Sequence, residues 1–173
     1  MKHPESTVGW RSSFAGQPLK VHRKDRNKRY GPPMDGWRVF VDARLEGNRA
    51  SWGAAIFDGA HQIDSDSGVF GALSSTFAET FALVKGLGLA RDLELNPVRL
   101  FTDDQSLVLQ YYRYPYDHSG WRITDLLHSA RLLGLEIGEV SVAWVPRRFN
   151  RTAHLLAREA ARDDFHGGPS ESD

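Results

Sequence analysis

The chain has 173 residues, 40% of them apolar, with five Trp and no Cys. That is enough for one packed domain, and it excludes a disulfide framework or a thiolate metal site. No apolar run approaches membrane-spanning length and MKHPESTVGW lacks the apolar stretch of a secretion signal, so a cytoplasmic protein is expected, with a monomer as the default.

The net charge of zero conceals an uneven distribution. Residues 1–36 hold eight Lys/Arg against three Asp/Glu, whereas the remainder holds fourteen against nineteen. Six of the basic residues fall in KVHRKDRNKR, at Lys20, Arg23, Lys24, Arg26, Lys28 and Arg29. Such a run is either a solvated, disordered arm or a phosphate-binding arm whose affinity falls steeply with salt. Gly31-Pro32-Pro33 breaks the chain, so 1–36 reads as arm and linker, 37–165 as the folded domain and 166–173 as a flexible tail.

From Trp37, WRVFVDARL alternates Trp37, Val39, Val41, Ala43 and Leu45 on one face, the period of a half-buried strand. Glu46-Gly47-Asn48-Arg49 reads as a turn, SWGAAIFD as a second strand, Asp58-Gly59 as another turn and 61–70 as a third strand. Ser74-Ser75 can cap a helix in which Phe77, Phe81, Val84, Leu87 and Ala90 recur every three or four residues down to about Leu93. Asn96-Pro97 ends it before VRLFT, the fourth strand. A short helix over 104–112, the aromatic loop RYPYDHSG and an amphipathic helix over 121–133 follow. Gly134 and Gly138 flank the approach to VSVAWV, the fifth strand. A last helix spans about 150–162, ahead of the frayed end GGPSESD. The last two strands are each entered through helices, as parallel pairing requires. The expected architecture is α/β: a mixed five-stranded sheet, three antiparallel strands then two parallel, with helices on both faces.

Four polar residues interrupt these apolar elements: Asp42 in the first strand, Glu79 in the first long helix, Asp103 just past the fourth strand and His154 one turn into the last helix. A charge buried in such surroundings costs several kcal/mol unless paired. Three carboxylates and an imidazole converging at one edge of the sheet would offset that cost by holding divalent metal ions.

These segments resemble the type 1 ribonuclease H family over roughly 37–163. VFVDARLEGNRASWGAAIF resembles its first hairpin, SSTFAETFALVKGLGLA its catalytic Glu helix, and LFTDDQSLV its Thr-Asp-Ser-Gln segment. VSVAWVPRRFNRTAHLLAREA is similar to the closing strand and helix, where Asn-x-x-Ala-Asp-x-Leu-Ala-Arg is expected. Four such matches in order form a fairly specific signal. The resemblance implies a ribonuclease H-like fold and an endoribonuclease that cuts the RNA strand of RNA/DNA hybrids, leaving 5′-phosphates by two-metal-ion hydrolysis. Asp42, Glu79 and Asp103 match three of the family's four catalytic carboxylates, and Asp103 is preferred over Asp104, which stands where Ser is usual. Hard oxygen ligands suit Mg²⁺. Asn48 and Gln105 match groups near RNA 2′-hydroxyls, and Ser74, Ser75 and Thr76 match the polar run that touches the hybrid backbone.

The departures carry expectations of their own. His154 replaces the fourth Asp, removing one negative charge and adding a softer ligand, so a catalytic metal site that includes His154 is expected to prefer Mn²⁺ or to bind Mg²⁺ weakly. Alternatively, His154 faces solvent and the site is crippled. Arg44 points to the side of Asp42, where it pairs with that carboxylate or meets a phosphate; Arg38 is a second candidate partner. PRRFN lacks the loop His of many relatives, and Arg147 and Arg148 either contact phosphate or are plain surface residues. The basic protrusion of some relatives is absent, and the amino-terminal arm can take its place in holding substrate. Tyr111, Tyr112, Tyr114, Tyr116 and Trp121 either stack on nucleic acid or pack over the core. His61, His118, His128 and His166 show no ligand spacing. Besides the hybrid-cleaving enzyme, two classes stay open: a weakened or noncatalytic hybrid-binding domain, and a related nuclease acting on another duplex. Recognition of the 2′-hydroxyl favours RNA, and backbone-reading enzymes show low sequence specificity.

Overall fold

The computed structural model describes Pro32, residues 34–115 and residues 120–166. The basic run within 20–29 and the residues 116–119 and 167–173 lie outside them, and with them Tyr116 and His118. Strands β1 (Trp37–Glu46), β2 (Arg49–Asp58) and β3 (His61–Gly71) form the meander. Helix α1 (Ser75–Asp92), strand β4 (Val98–Thr102), helices α2 (Gln105–Arg113) and α3 (Trp121–Ile137), strand β5 (Val140–Trp144), a single 3-10 turn (Arg147–Phe149) and helix α4 (Arg151–His166) follow. The sheet order is β3-β2-β1-β4-β5. β1 pairs antiparallel with β2, and β2 with β3; β1 pairs parallel with β4, and β4 with β5. This is the mixed sheet expected.

The alternation along β1 sorts its side chains between two cores. Val39 and Val41 enter the large core with Leu83 and Leu87 of α1, Leu107 of α2 and Leu127 of α3. Phe40 points the other way, to a smaller cluster with Phe101, Val145 and Ala153 of α4. Both faces are therefore covered by helices, which dock closely because two glycines leave room. A Cβ at Gly86 of α1 would lie 2.4 Å from Val41 Cγ1, and one at Gly53 of β2 would lie 2.5 Å from the Ala153 carbonyl of α4. That second contact brings the first turn of α4, and His154 with it, against the strand beside Asp42.

Two helices run longer than the sequence pattern suggests. Gly134 does not end α3: it sits inside the helix where a Cβ would come 3.0 Å from the Tyr111 hydroxyl oxygen, so it is a packing position. The chain turns instead at Gly138, whose φ of 104° suits glycine best. Helix α4 continues to His166, with Asp164 paired to Arg49 across the start of β2.

Candidate active site

Beyond the Phe40–Phe101 pair, β1 and β4 no longer hydrogen-bond to each other. The backbone groups of β1 that face this split need other partners. The side-chain amide of Asn150 donates to the Val41 carbonyl oxygen at 2.8 Å, and the Ala43 N–H donates to the Glu79 carboxylate. The site is the opening between two diverging parallel strands, with Asp42 on one lip and Asp103 on the other.

Asp42 is 3% exposed. Burial is the largest cause raising its pKa to about 6, followed by the charge of Asp103; a hydrogen bond from His154 opposes both. Glu79, one and a half turns into α1, is pushed further, to about 9, by burial first and then by the charges of Asp42, Asp103 and Asp104. Its Oε2 is buried without a hydrogen-bond partner.

The neighbours Asp103 and Asp104 have separate tasks. Asp104 is the N-cap of α2, its Oδ1 accepting from the backbone N–H groups of Ser106 (2.7 Å) and Leu107 (3.2 Å). Asp103 is left to face the split, where its Oδ1 accepts from Asn150 Nδ2 at 3.0 Å.

Sequence reasoning passed over Asn150. It is fully buried and holds β1 and Asp103 through one amide; its signal was the Asn that opens the Asn-x-x-Ala motif of the last helix. Asn150→Ala is expected to lower stability by about 1–3 kcal/mol, because a buried carbonyl loses its donor. An unchanged urea midpoint would show that the amide is dispensable.

His154 Nδ1 lies 2.7 Å from Asp42 Oδ2. Arg147 Nη2 lies 2.9 Å from the same Nδ1 and 3.3 Å from Nε2. A ring nitrogen bears either one hydrogen or one lone pair, so Nδ1 can serve only one of these neighbours. The carboxylate, an acceptor 3% exposed, is the stronger claimant. Neither other arginine takes Asp42: Arg38 donates to the Gly59 carbonyl and lies over the Phe40 and Phe57 rings, and Arg44 pairs with Glu46 at the exposed end of β1.

As placed, no group of three or more His, Asp or Glu among the described residues stands close enough to hold a metal ion. Asp42 pairs with His154, and Asp103 accepts from Asn150. The fit to a cation rests on two observations: the unpartnered Glu79 Oε2, and the raised pKa of Asp42 and of Glu79, caused first by burial and then by neighbouring carboxylate charge, that of Asp103 acting on both. A divalent ion would relieve both.

A family model described as reverse transcriptase-like matches residues 41–160. The chain belongs to that family. None of the curated proteins matches its sequence. Among solved structures it is similar to ribonuclease H1 of the halophilic archaeon Halobacterium salinarum, with a TM-score of 0.68 and 25% identity, covering 73% of this chain and 98% of that one. The N-terminal ribonuclease H domain of a Mycobacterium tuberculosis protein matches with a TM-score of 0.68 and 23% identity over 75% of this chain and 96% of that one. LC11 ribonuclease H1, solved in complex with an RNA/DNA hybrid, matches with a TM-score of 0.67 and 20% identity over 75% and 99%. The fold is therefore the ribonuclease H fold.

In this reverse transcriptase-like domain the remaining candidate residues lie on several elements. Asn48 is exposed in the β1–β2 turn, and Gln105 is exposed at the first position of α2. Ser74 is the N-cap of α1, accepting from the Phe77 N–H at 3.2 Å, with Ser75 and Thr76 in the first turn. Ser74 and Phe77 also line a cavity of about 280 Å³ with Arg122 and Ile123 of α3. None of Asp42, Glu79, Asp103 and His154 lines that cavity, which lies at the N-terminal end of α1. Arg148 is exposed with its guanidinium over Phe149. The tyrosines are engaged in packing: Tyr111 is buried under Arg131, the Tyr112 hydroxyl accepts from Val142 N–H at 2.9 Å, and the Tyr114 hydroxyl meets His128 Nδ1 at 2.8 Å. His61 starts the edge strand β3 and is exposed.

Proposed function

We propose that the chain is a metal-dependent endoribonuclease that cleaves the RNA strand of RNA/DNA hybrids and leaves 5′-phosphates. One observation supports this reading: at the β1–β4 split the buried Glu79, one oxygen of which has no partner, lies within the electrostatic reach of Asp42 and Asp103. Asp42, Glu79 and Asp103 would hold divalent metal, Mg²⁺ or Mn²⁺, which when bound supplies charge neutralisation at the scissile phosphate and promotes attack by water.

The chain's own residues do the rest. Asn150 fixes the direction of the Asp103 carboxylate, and the Ala43 N–H fixes Glu79. Asn48 and Gln105, both exposed, would read 2′-hydroxyls, the group that separates RNA from DNA. Ser74, Ser75 and Thr76 offer hydroxyls and first-turn N–H groups to backbone phosphate at the N-terminus of α1. The basic run within 20–29 would add a salt-dependent attraction.

The expected result is cleavage of an RNA/DNA hybrid in Mg²⁺ or Mn²⁺, with RNA/RNA and DNA/DNA duplexes cut far more slowly. Preference for either other duplex would overturn the substrate. A second reading, a weakened hybrid-binding domain, is favoured by one contact, the hold of His154 on Asp42. It predicts hybrid binding with no cleavage in either metal.

A further inference from the structure

Arg38 is a buried charge without an acid of its own. It is 4% exposed, yet its Nε–H is buried with no hydrogen-bond partner. Its Nη1 meets the Met34 sulfur at 3.3 Å, its Nη2 donates to the Gly59 carbonyl, and the guanidinium lies over the Phe40 and Phe57 rings. A thioether is a weak acceptor, and a buried cation is costly without a carboxylate to hold it. Among the described residues Asp35 is the one acid whose charge acts on Arg38, but its carboxylate is taken by Arg99, at 3.0 and 3.2 Å.

Helix α4 does not extend to this end of the sheet. It sits on Gly53 of β2 through Ala153 and Ala157 and reaches Arg49 at Asp164. It therefore runs away from Phe57, which stands opposite Arg38 in the β1–β2 register and is partly exposed. The chain itself arrives at the spot that α4 leaves. Met34 touches Arg38 with its sulfur, and its carbonyl oxygen lies 3.9 Å from where a Cβ on Gly59 would stand. The residues before it enter through Gly31-Pro32-Pro33, a sequence that favours a turn. Among those residues Asp25 is the one acid between Glu5 and Asp35. Nine positions separate it from Met34, a length of chain that spans up to about 30 Å, so its carboxylate can return to the side chain that Met34 touches.

We propose that residues 20–31 fold back over this end of the sheet, and that the Asp25 carboxylate accepts from Arg38 Nε. Carboxylate is the acceptor that guanidinium binds most strongly. The consequence is positional. Arg38 and Asp42 point to the same face of β1, four residues or about 13 Å apart. A docked segment holds its basic residues near the split, where they add their attraction to a nucleic-acid backbone. The docking stands without the hybrid-cleaving reading; this use of it rests on that reading.

The test compares the full chain with Asp25→Ala. Trypsin is expected to cut the full chain at Lys20 and Arg29, neither adjacent to residue 25, roughly tenfold more slowly than the variant, because a docked segment must open before it is cleaved. The Arg38 Nε–H resonance is expected to shift in Asp25→Ala while the backbone amides of α1 and α4 stay in place, which a loss of fold would not produce. In EDTA the variant is expected to bind an RNA/DNA hybrid about threefold more weakly, although removal of a negative charge would by itself strengthen binding. Equal cutting rates or an unmoved Arg38 Nε–H would overturn the docking. Protection that grows with protein concentration would overturn it in favour of a second copy, and protection seen only with hybrid present would do so in favour of nucleic acid. Tighter hybrid binding by the variant would overturn the use of the segment and leave the docking. A full chain that fails to cleave the hybrid in Mg²⁺ or Mn²⁺ would overturn the nuclease reading and not the docking.

Discussion

Asp103→Asn is expected to reduce hybrid cleavage by at least about 10³-fold, equivalent to about 4 kcal/mol of transition-state stabilisation, while leaving the protein as stable as before or more so. The amide keeps an oxygen that can accept from Asn150 Nδ2, so the tie between β4 and α4 survives. It removes the charge that opposes ionisation of Asp42 and Glu79. The adjacent residue behaves oppositely. Asp104→Ala takes the acceptor from the Ser106 and Leu107 N–H groups, and loss of an N-cap costs about 1 kcal/mol, yet cleavage is expected to stay within about tenfold of wild type because that carboxylate is occupied by the helix. Cleavage rates and urea midpoints of both variants separate the two roles. A catalytic loss larger in Asp104→Ala than in Asp103→Asn would reverse the assignment.

That pair also marks how far the sequence could be read. The strands and the large core followed from alternation along β1 and the three- and four-residue spacing in α1, because burial on one face imposes those periods. Mixed topology followed from the helices that enter β4 and β5. Asp42, Glu79 and Asp103 stood out because each is a charge in apolar company. What the pattern could not contain is partnership across the fold. Asn150 lies 109 residues from Val41 and 47 from Asp103, and the motif it opens does not say which groups its amide holds. The pairing of Arg44 with Glu46 rather than Asp42 depends on where the strand emerges into solvent. His154 was visible as a substitution, but its coupling to Arg147, seven residues earlier, depends on the 3-10 turn that folds PRRFN back over the helix start. Gly134 was placed beyond the helix, on the approach to the fifth strand; its close approach to the Tyr111 hydroxyl makes it a packing position inside α3.

Glu79→Gln is expected to stabilise the metal-free protein at alkaline pH. Glu79 has its pKa raised from 4.5 to about 9, and Asp42 from 3.8 to about 6, chiefly by burial in both cases. The folded protein therefore binds protons at these positions more tightly than the unfolded chain does. Each contribution to stability is complete below the unfolded value and is lost as pH rises through the folded one. Asp42 accounts for the lower part of that window, from about pH 4 to 6, and Glu79 for the fall from about pH 4.5 to 9. At pH 8 the glutamine variant should exceed the wild type by on the order of 3 kcal/mol, and the difference should vanish near pH 4. Millimolar Mg²⁺ should raise the wild-type midpoint and narrow the gap, because an ion that binds only the folded state stabilises it and relieves the repulsion the acids otherwise bear. Unfolding midpoints of both proteins across pH 4–9, with EDTA and with Mg²⁺, test this directly; parallel pH profiles would mean that Glu79 is ionised in the folded protein without cost. If the profiles diverge as expected, a site that destabilises its own fold until a cation enters is one whose carboxylates are held together for the chemistry and not for packing.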